Sequence, residues 1–385
     1  MAFDFTWILL GLPIAFGLGW FASRLDVRQM RIENRRAPKA YFKGLNFLLN
    51  EQQDHAIDAF IEAVQNDPDT SELHFALGNL FRRRGEYERA VRVHEHLISR
   101  GDLSKADRNR AQHALALDFL KAGLLDRAED ALKKLDGTSF EGQARLALLG
   151  TYERSREWTK AADIAARLDN TDQGSFAARR AHYLCEQASA STAVSDLDRA
   201  KVLLAEAQSI APLAARPRME LATIHTQMSE HQAAFQGLAA ASQVCPEALP
   251  LFCVQLADAA VAAGQAEAAL TLLKSAYTST PSLDVLEAIV KLEATQSSPS
   301  PSARDWYVRH LEREPSLVAA AKWIAGEKLE HEQFHPQVQR ALDNAVKPLT
   351  RYRCAACGFE GTQHFWQCPG CQAWDSYPAK RVEEL

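Results

Sequence analysis

An alanine recurs along this chain at a spacing of roughly 34 residues. The repeated positions are Ala56, Ala90, Ala128, Ala161, Ala200, Ala234, Ala269 and Ala303. A unit of this length forms one helix pair, which cannot bury its apolar face alone and must stack on its neighbours. The 385 residues also exceed what a single compact core normally organises. The sequence therefore predicts an all-α array of stacked helix pairs.

Other positions of the repeat locate the two helices and the turn between them. Small residues such as Gly44 and Gly78 lie twelve positions before the alanine, where they let the two helices pack closely. Glycines lie five positions before the alanine at Gly85, Gly123 and Gly264, in a turn where positive φ costs glycine little. Five prolines lie twelve positions after the alanine and predict the end of each second helix: Pro68, Pro212, Pro246, Pro281 and Pro315.

This order of small, apolar, alanine and proline positions resembles the tetratricopeptide repeat. The resemblance implies a superhelix over residues 37–346, with about eight or nine helix pairs and a groove that binds protein clients. We interpret the stretch Ser189–Ser195 as a loosened turn and Gln296–Ser302 as a loop within the eighth unit, since both are rich in serine.

The N-terminus carries a run of uncharged residues that extends from Phe5 to Ser23. Its length is close to the roughly 20 residues that span a bilayer as a helix. A cleaved signal peptide is the alternative, but positive charge does not precede the run. Arginines dominate the residues after it, which predicts a periplasmic N-terminus and a cytoplasmic remainder. Residues 1–36 are thus interpreted as a single-pass membrane anchor with a basic juxtamembrane helix.

Within this run, Gly11, Ala15 and Gly19 recur every four residues on one helix face. Such a strip allows a second membrane helix to approach closely, so a transmembrane partner is one hypothesis.

The net charge of the chain argues against nucleic acid as a partner. A net charge of -5 supplies no basic field for nucleic acid, which we do not expect as a partner.

Four cysteines near the C-terminus form two CxxC pairs, Cys354 with Cys357 and Cys368 with Cys371. In a cytoplasmic segment this spacing predicts four thiolates on one tetrahedral metal ion rather than disulfides. A matched second pair also argues against a lone redox dithiol. The segment 347–385 is too short to fold by apolar burial, so the metal must stabilise it. Spacing alone leaves zinc and iron open.

A second pattern, His331-Glu332-Gln333-Phe334-His335, matches the HExxH helix of zinc hydrolases. That chemistry needs both histidines on one helical face, whereas Pro336 predicts that His335 lies outside a helix. A zinc-dependent hydrolase that uses residues 331–335 therefore stays an alternative to a non-enzymatic protein, and we predict no catalytic residue.

Anchor, repeats and cysteine tail together resemble the lipopolysaccharide assembly protein B family, in which a rubredoxin-like metal domain follows the repeats. The resemblance rests most on Tyr352–Phe359, Trp366–Cys371 and Trp374. It implies an inner-membrane adaptor that regulates lipopolysaccharide synthesis and brings the committed-step lipid A deacetylase to the membrane protease FtsH for proteolysis. It also implies iron at the four cysteines and a tail packed onto the repeats. Rubredoxins space their cysteine pairs farther apart, so electron transfer does not carry over from them and zinc remains an alternative to iron. A rubredoxin-like electron carrier stays an alternative function.

Overall fold

The computed structural model describes Phe16, Trp20 and residues 42–66, 70–169, 174–295, 303–326 and 332–385. The predicted anchor therefore lies outside the described residues, apart from Phe16 and Trp20, which are both helical. The strip at Gly11, Ala15 and Gly19 and the predicted loop at residues 296–302 also lie outside the described residues. By internal contacts the chain divides into two compact units, Met1–Arg156 and Glu157–Leu385.

The first unit is helical wherever it is described. Residues 42–49 form a helix that is followed by further helices, each packed against the next in sequence. Their bounds are α1 (Gln53–Asn66), α2 (Ser71–Arg84), α3 (Tyr87–Ser99), α4 (Lys105–Lys121), α5 (Leu125–Lys133) and α6 (Glu141–Ser155).

The second unit continues the pattern and ends in a small irregular domain. The helices are α7 (Trp158–Leu168), α8 (Ala177–Ala193), α9 (Leu197–Ile210), α10 (Ala215–Gln227), α11 (His231–Val244), α12 (Leu249–Ala262), α13 (Ala266–Ser279), α14 (Leu283–Ala294), α15 (Ala303–Leu311), α16 (Leu317–Ala325) and α17 (His335–Val346). Short strands β1 (Tyr352–Arg353) and β2 (Glu360–Gly361) then pair antiparallel.

The repeated alanines confirm the predicted helix pairs. Seven of them, from Ala56 to Ala269, are the fourth residue of a second helix and are fully buried. The eighth prediction, Ala303, is wrong: this residue is exposed at the start of α15, where Trp306 and His310 are buried instead. Four predicted helix ends also hold, because α9, α11, α13 and α15 all stop a few residues before their prolines. Pro68 lies outside the described residues.

The small residues of the repeat allow the close packing that was predicted. A Cβ added to Gly44 would lie 2.8 Å from the Phe60 ring, and one added to Gly78 would lie 2.5 Å from His94 Nε2. Real Cβ atoms do not approach so closely, so each glycine is needed where a ring of the second helix crosses the first. Phe60 and His94 both lie four residues after the repeated alanine.

The turn between paired helices has one geometry throughout the described array. Gly85, Gly123 and Gly264 adopt the positive φ that was predicted. The same position has positive φ in the other described pairs, although it holds Glu51, Arg156, Ser195 or Ser229. A left-handed L-residue costs roughly 1–2 kcal/mol. Packing of the helix pair, rather than glycine, therefore determines the turn.

The predicted loosened turn at Ser189–Ser195 is wrong for most of its length. Helix α8 continues to Ala193, and only residues 194–196 form the turn. Serine and threonine hydroxyls there bond back into the helix, as Ser191 Oγ does to Gln187 O (3.1 Å) and Thr192 Oγ1 to Ala188 O (2.9 Å).

No single helix within the described ranges is both long and apolar enough to span a membrane. Together, His231–Val244 and Pro246–Ala262 reach the required length and apolarity, but the chain bends by 116° between them. Their side chains Leu238, Phe252 and Leu256 lie fully buried in the protein core.

Candidate metal centre

The two CxxC segments fold into turns with the same backbone hydrogen bonds. In the first, the Gly358 N–H donates to Cys354 O and the Cys354 N–H donates to Phe359 O, both at 2.9 Å. In the second, the Gln372 N–H donates to Cys368 O at 2.8 Å and the Cys368 N–H donates to Ala373 O at 2.9 Å. Each turn thereby aims two sulfurs toward the other turn.

Each turn contains a glycine, but only the one in the first turn has positive φ. Gly358 has a φ of 77°. In the second turn the equivalent residue is Gln372, with a φ of 62°, while Gly370 lies against the Phe359 ring. Positive φ falls four residues after the first cysteine of each pair, and Gly370 is only two residues after Cys368.

The four sulfur atoms fit one tetrahedral ion. They all lie within 4.8 Å of one another. Cys354 Sγ lies 3.8 Å from Cys371 Sγ, and Cys357 Sγ lies 3.7 Å from Cys368 Sγ. Metal–sulfur bonds of about 2.3 Å at tetrahedral angles place the sulfurs about 3.8 Å apart, so the observed spacing suits zinc or iron equally. Four protein ligands leave no open position for substrate.

The ligands differ in burial. Cys354 and Cys368 are buried, whereas Cys357 and Cys371 are exposed. Cys354 Sγ and Ser376 Oγ lie 3.3 Å apart, within hydrogen-bond distance. This bond, opposed by burial and assisted by the backbone N–H groups of Cys357 and Ala356, lowers the pKa of the Cys354 thiol to about 6. The pKa of the Cys357 thiol moves in the opposite direction: a backbone hydrogen bond from Phe359 lowers it, but burial and the three neighbouring cysteines raise it to about 12.

A small apolar core surrounds the buried sulfurs. Tyr352 and Tyr377 are buried beside Cys354 and Cys368, with Phe365 packed against them. Tyr377 also donates its hydroxyl to Phe359 O at 3.1 Å. One further member, Leu251, belongs to α12, so the core of this metal knuckle (residues 347–385) is completed by a repeat helix.

Trp374 packs outward against the repeats, away from the core around the sulfurs. Its ring stacks on His182 with centroids 4.9 Å apart and an interplanar angle of 20°. Edge contacts join it to Trp158 at 6.1 Å and Tyr183 at 5.8 Å. Trp366 also lies against His182, at 5.8 Å. The indole rings thus attach the knuckle to α7 and α8.

Charged groups reinforce the same contact. His182 Nε2 donates to Asp375 Oδ1 at 2.8 Å, and Arg216 of α10 lies 3.5 Å from His182 Nδ1. Arg216 is only 6% exposed and is neutralised by Glu186 and Glu220, at 2.7 and 2.6 Å. Burial is the main influence on Glu220 and raises its pKa.

The last residues of the chain attach to a second place in the repeats. Arg381 makes two parallel bonds of 2.9 Å to Asp284 of α14. Glu384 accepts from the Leu283 N–H at 2.6 Å, at the start of α14. Glu383 accepts from the Leu317 and Val318 N–H groups at 2.6 and 3.1 Å, at the start of α16. Carboxylates at helix N-termini accept hydrogen bonds from otherwise unpaired N–H groups and interact favourably with the positive end of the helix dipole.

The HExxH segment shows no assembled zinc helix in its described part. His331 lies outside the described residues, and Glu332–Phe334 forms a 3-10 helix. His335 begins α17, so the prediction that Pro336 keeps it out of a helix is wrong, because proline is tolerated in a first turn. His335 Nε2 lies 3.2 Å from Ile324 O, within hydrogen-bond distance of the backbone.

Sequence reasoning found the four cysteines but missed the residues that hold the knuckle in place. His182 and Asp375 are 193 positions apart, and no periodic pattern connects them. Asp284, Glu383 and Glu384 resemble ordinary surface charges when read in sequence. The acidic pair Glu383 and Glu384, two positions after Arg381, is a signal in the sequence, but it does not identify its partner helices.

Comparison with known proteins agrees with both parts of this architecture. The family described as "Rubredoxin metal binding domain" matches residues 352–377, and the tetratricopeptide repeat family matches residues 73–108. A solved tetratricopeptide repeat protein from Parabacteroides merdae covers 68% of this chain and 100% of its own length. Its TM-score of 0.34 and identity of 15% are too low to add to the assignment.

Relatives that span the whole chain are more informative. Lipopolysaccharide assembly protein B of Escherichia coli K12 is 32% identical over 383 residues, which cover 96% of each chain. The protein of the same name from Haemophilus influenzae is 26% identical over 384 residues, again 96% of each. This chain belongs to the lipopolysaccharide assembly protein B family.

Proposed function

We propose that this protein is a non-enzymatic adaptor in lipopolysaccharide assembly. The observation that carries the proposal is the knuckle: four sulfurs close one metal site, and the surrounding residues attach to repeat helices. A site with four protein ligands stabilises structure and leaves no position for Lewis-acid chemistry. Stacked helix pairs commonly bind proteins, which supports a role in presenting a client.

The finer proposal follows the family resemblance. The repeat groove holds the committed-step lipid A deacetylase and presents it to the membrane protease FtsH, so that the deacetylase is degraded. Residues 5–23 anchor the protein in the inner membrane, with repeats (37–346) and metal domain (347–385) on the cytoplasmic side. The strip at Gly11, Ala15 and Gly19 offers a packing face to a partner membrane helix.

Depletion of the protein in its own host tests the proposal. Without the adaptor, the deacetylase should persist after synthesis is blocked, and lipopolysaccharide should rise. Complementation with the full chain should restore turnover, as should the Gln363→Ala variant, which alters an exposed knuckle residue. A Cys368→Ser variant should not restore it. Deacetylase turnover that is unaffected by depletion would refute the client and protease assignment.

The exposed sulfurs favour one second candidate, an electron carrier. Cys357 and Cys371 lie at the surface, where electrons could reach an iron ion without crossing the apolar core. Iron-loaded protein would then show reversible one-electron voltammetry. A purified native protein that holds zinc and is redox-silent removes this candidate and leaves the adaptor.

A further inference from the structure

The metal knuckle pairs each exposed cysteine with a buried one. Exposed Cys371 Sγ lies 3.8 Å from buried Cys354 Sγ, and exposed Cys357 Sγ lies 3.7 Å from buried Cys368 Sγ. A small oxidant can therefore reach one sulfur of each pair, while the second sulfur lies beside it and is shielded from solvent. Each of the two pairs therefore places a cysteine that can react with the oxidant beside a second cysteine that can form a disulfide with it.

The remaining cysteines lack these features. Cys185 and Cys253 are buried in the repeat core, where a peroxide does not reach them. Cys245 is half-buried, and its Sγ lies 3.1 Å from Ala241 O, within hydrogen-bond distance. Oxidation should accordingly be selective for the knuckle.

We propose that Cys357 and Cys371 are oxidant-reactive sites, and that a peroxide joins each to its buried neighbour, expels the metal and loosens the contacts of Trp374 and Asp375 with the repeats. This inference depends on the metal site and not on the proposed role in lipopolysaccharide assembly.

The chemistry balances with hydrogen peroxide as the oxidant. The Cys371 thiolate attacks one peroxide oxygen, so that an S–O bond forms, the O–O bond breaks and hydroxide leaves. The Cys354 thiolate then attacks the sulfenic sulfur, so that an S–S bond forms, the S–O bond breaks and a second hydroxide leaves. Each disulfide takes two electrons from two thiolates and reduces one peroxide. The pair Cys357 and Cys368 reacts in the same way.

Formation of the disulfides moves the second turn. The sulfurs of Cys354 and Cys371 lie 3.8 Å apart. Bonded sulfurs are only about 2 Å apart, and a disulfide sulfur is no longer an anionic ligand. Trp374 and Asp375 follow Cys371 by three and four residues, and the Asp375 N–H donates to Trp366 O at 3.0 Å. The residues that stack on His182 are therefore built on the turn that oxidation distorts.

The test treats the full-length, zinc-loaded protein with hydrogen peroxide. Zinc release is followed with a chromogenic chelator, disulfides by peptide mass spectrometry, and docking by hydrogen exchange of residues 177–193. We expect stoichiometric zinc release, disulfides Cys354–Cys371 and Cys357–Cys368, and exchange in residues 177–193 that rises by about tenfold or more. Reductant with added zinc should reverse all three, and Cys185, Cys245 and Cys253 should stay reduced.

A Cys371→Ser variant separates the two pairs, and it should still form the Cys357–Cys368 disulfide. Three results would overturn the proposal: zinc retained at peroxide doses that fully oxidise glutathione, disulfides confined within Cys354–Cys357 and Cys368–Cys371, or zinc loss without faster exchange in residues 177–193. Chelation without peroxide serves as a control, since it should release the metal without any disulfide.

Discussion

The two units of this protein each contain a buried histidine that meets an aspartate and an arginine. In the first unit, His94 Nδ1 lies 2.5 Å from Asp118 Oδ2, and Arg82 donates to Asp118 Oδ1 at 2.9 Å. In the second unit, His182 bonds to Asp375 and faces Arg216. We name these the repeat cluster (His94, Asp118, Arg82) and the docking cluster (His182, Asp375, Arg216).

The two clusters differ in which segments they join and in how far water reaches them. The repeat cluster ties α2, α3 and α4, which are neighbours in sequence, and the Asp118 side chain is fully buried. The docking cluster ties α8 and α10 to the metal knuckle, and the Asp375 side chain is 50% exposed. The same three residue types therefore serve internal packing in one unit and attachment of a separate domain in the other.

Removal of the metal should have the largest effect on hydrogen exchange, and it should affect the docking cluster without affecting the repeat cluster. A structural four-sulfur site contributes about 10–16 kcal/mol, and the knuckle is too small to stay folded without it. Chelation should abolish hydrogen-exchange protection in residues 352–377 and weaken it in α8. Protection in α4 should not change, because the repeat cluster shares no residue with the knuckle. Loss of protection in α4 would show that the clusters are not independent.

Asp118→Ala should be the most damaging substitution in the repeat cluster. It leaves a buried histidine and an arginine without their carboxylate, which typically costs about 3–5 kcal/mol. Urea unfolding of the first unit should shift accordingly. Glu88→Ala is the control, because it removes a carboxylate that is 92% exposed. That change should alter stability by less than about 0.5 kcal/mol. Equal effects of the two substitutions would contradict the assignment.

Gly78→Ala tests the packing that holds His94 in place. The added methyl would lie 2.5 Å from His94 Nε2. The ring must therefore move, and the free energy of unfolding should fall by about 1–3 kcal/mol. Gly150→Ala is the matched control, since its Cβ meets nothing within 4 Å. Within α6 this change should stabilise by roughly 0.5–1 kcal/mol. If Gly78→Ala lowers the free energy of unfolding and Gly150→Ala raises it, the contact with His94 is the cause of the loss at position 78.

Asp375→Ala should have the smallest effect. Water can replace a carboxylate that is half exposed, so we expect a loss of no more than about 1 kcal/mol. Thermal unfolding of the metal-loaded protein measures it. A cost similar to that of Asp118→Ala would remove the distinction between the clusters.

The repeats were largely predictable because their physics is local. Only a small residue such as alanine fits where two helices cross closely, a proline ends a helix, and both constraints recur with the period. The stretch Ser189–Ala193 was misread because serine-rich sequence suggests a loop, whereas alanines and hydroxyls bonded to the backbone keep α8 helical. Ala303 failed because α15 starts at that residue and buries its later residues.

The metal ligands were equally predictable, but their attachment was not. Four cysteines at fixed spacing identify their own partners, since thiolates need a common ion. Trp374 and Glu383 gain their roles only from residues far away in sequence. His94 shows a third case: it occupies a position that holds phenylalanine or leucine in five other repeats, and a partner on the next helix makes its burial possible.

Zinc affinity of the full chain, with and without Trp374→Ala, tests most directly whether the metal and the docking contacts form one structural clamp. Coupling between two events is reciprocal, so a knuckle that docks because it is metal-bound must also bind metal more tightly when docked. Competition with a chelator should show about tenfold weaker binding in Trp374→Ala, equivalent to about 1.4 kcal/mol, and no change in the Gln363→Ala control. Equal affinities, with docking lost in Trp374→Ala, would contradict the account.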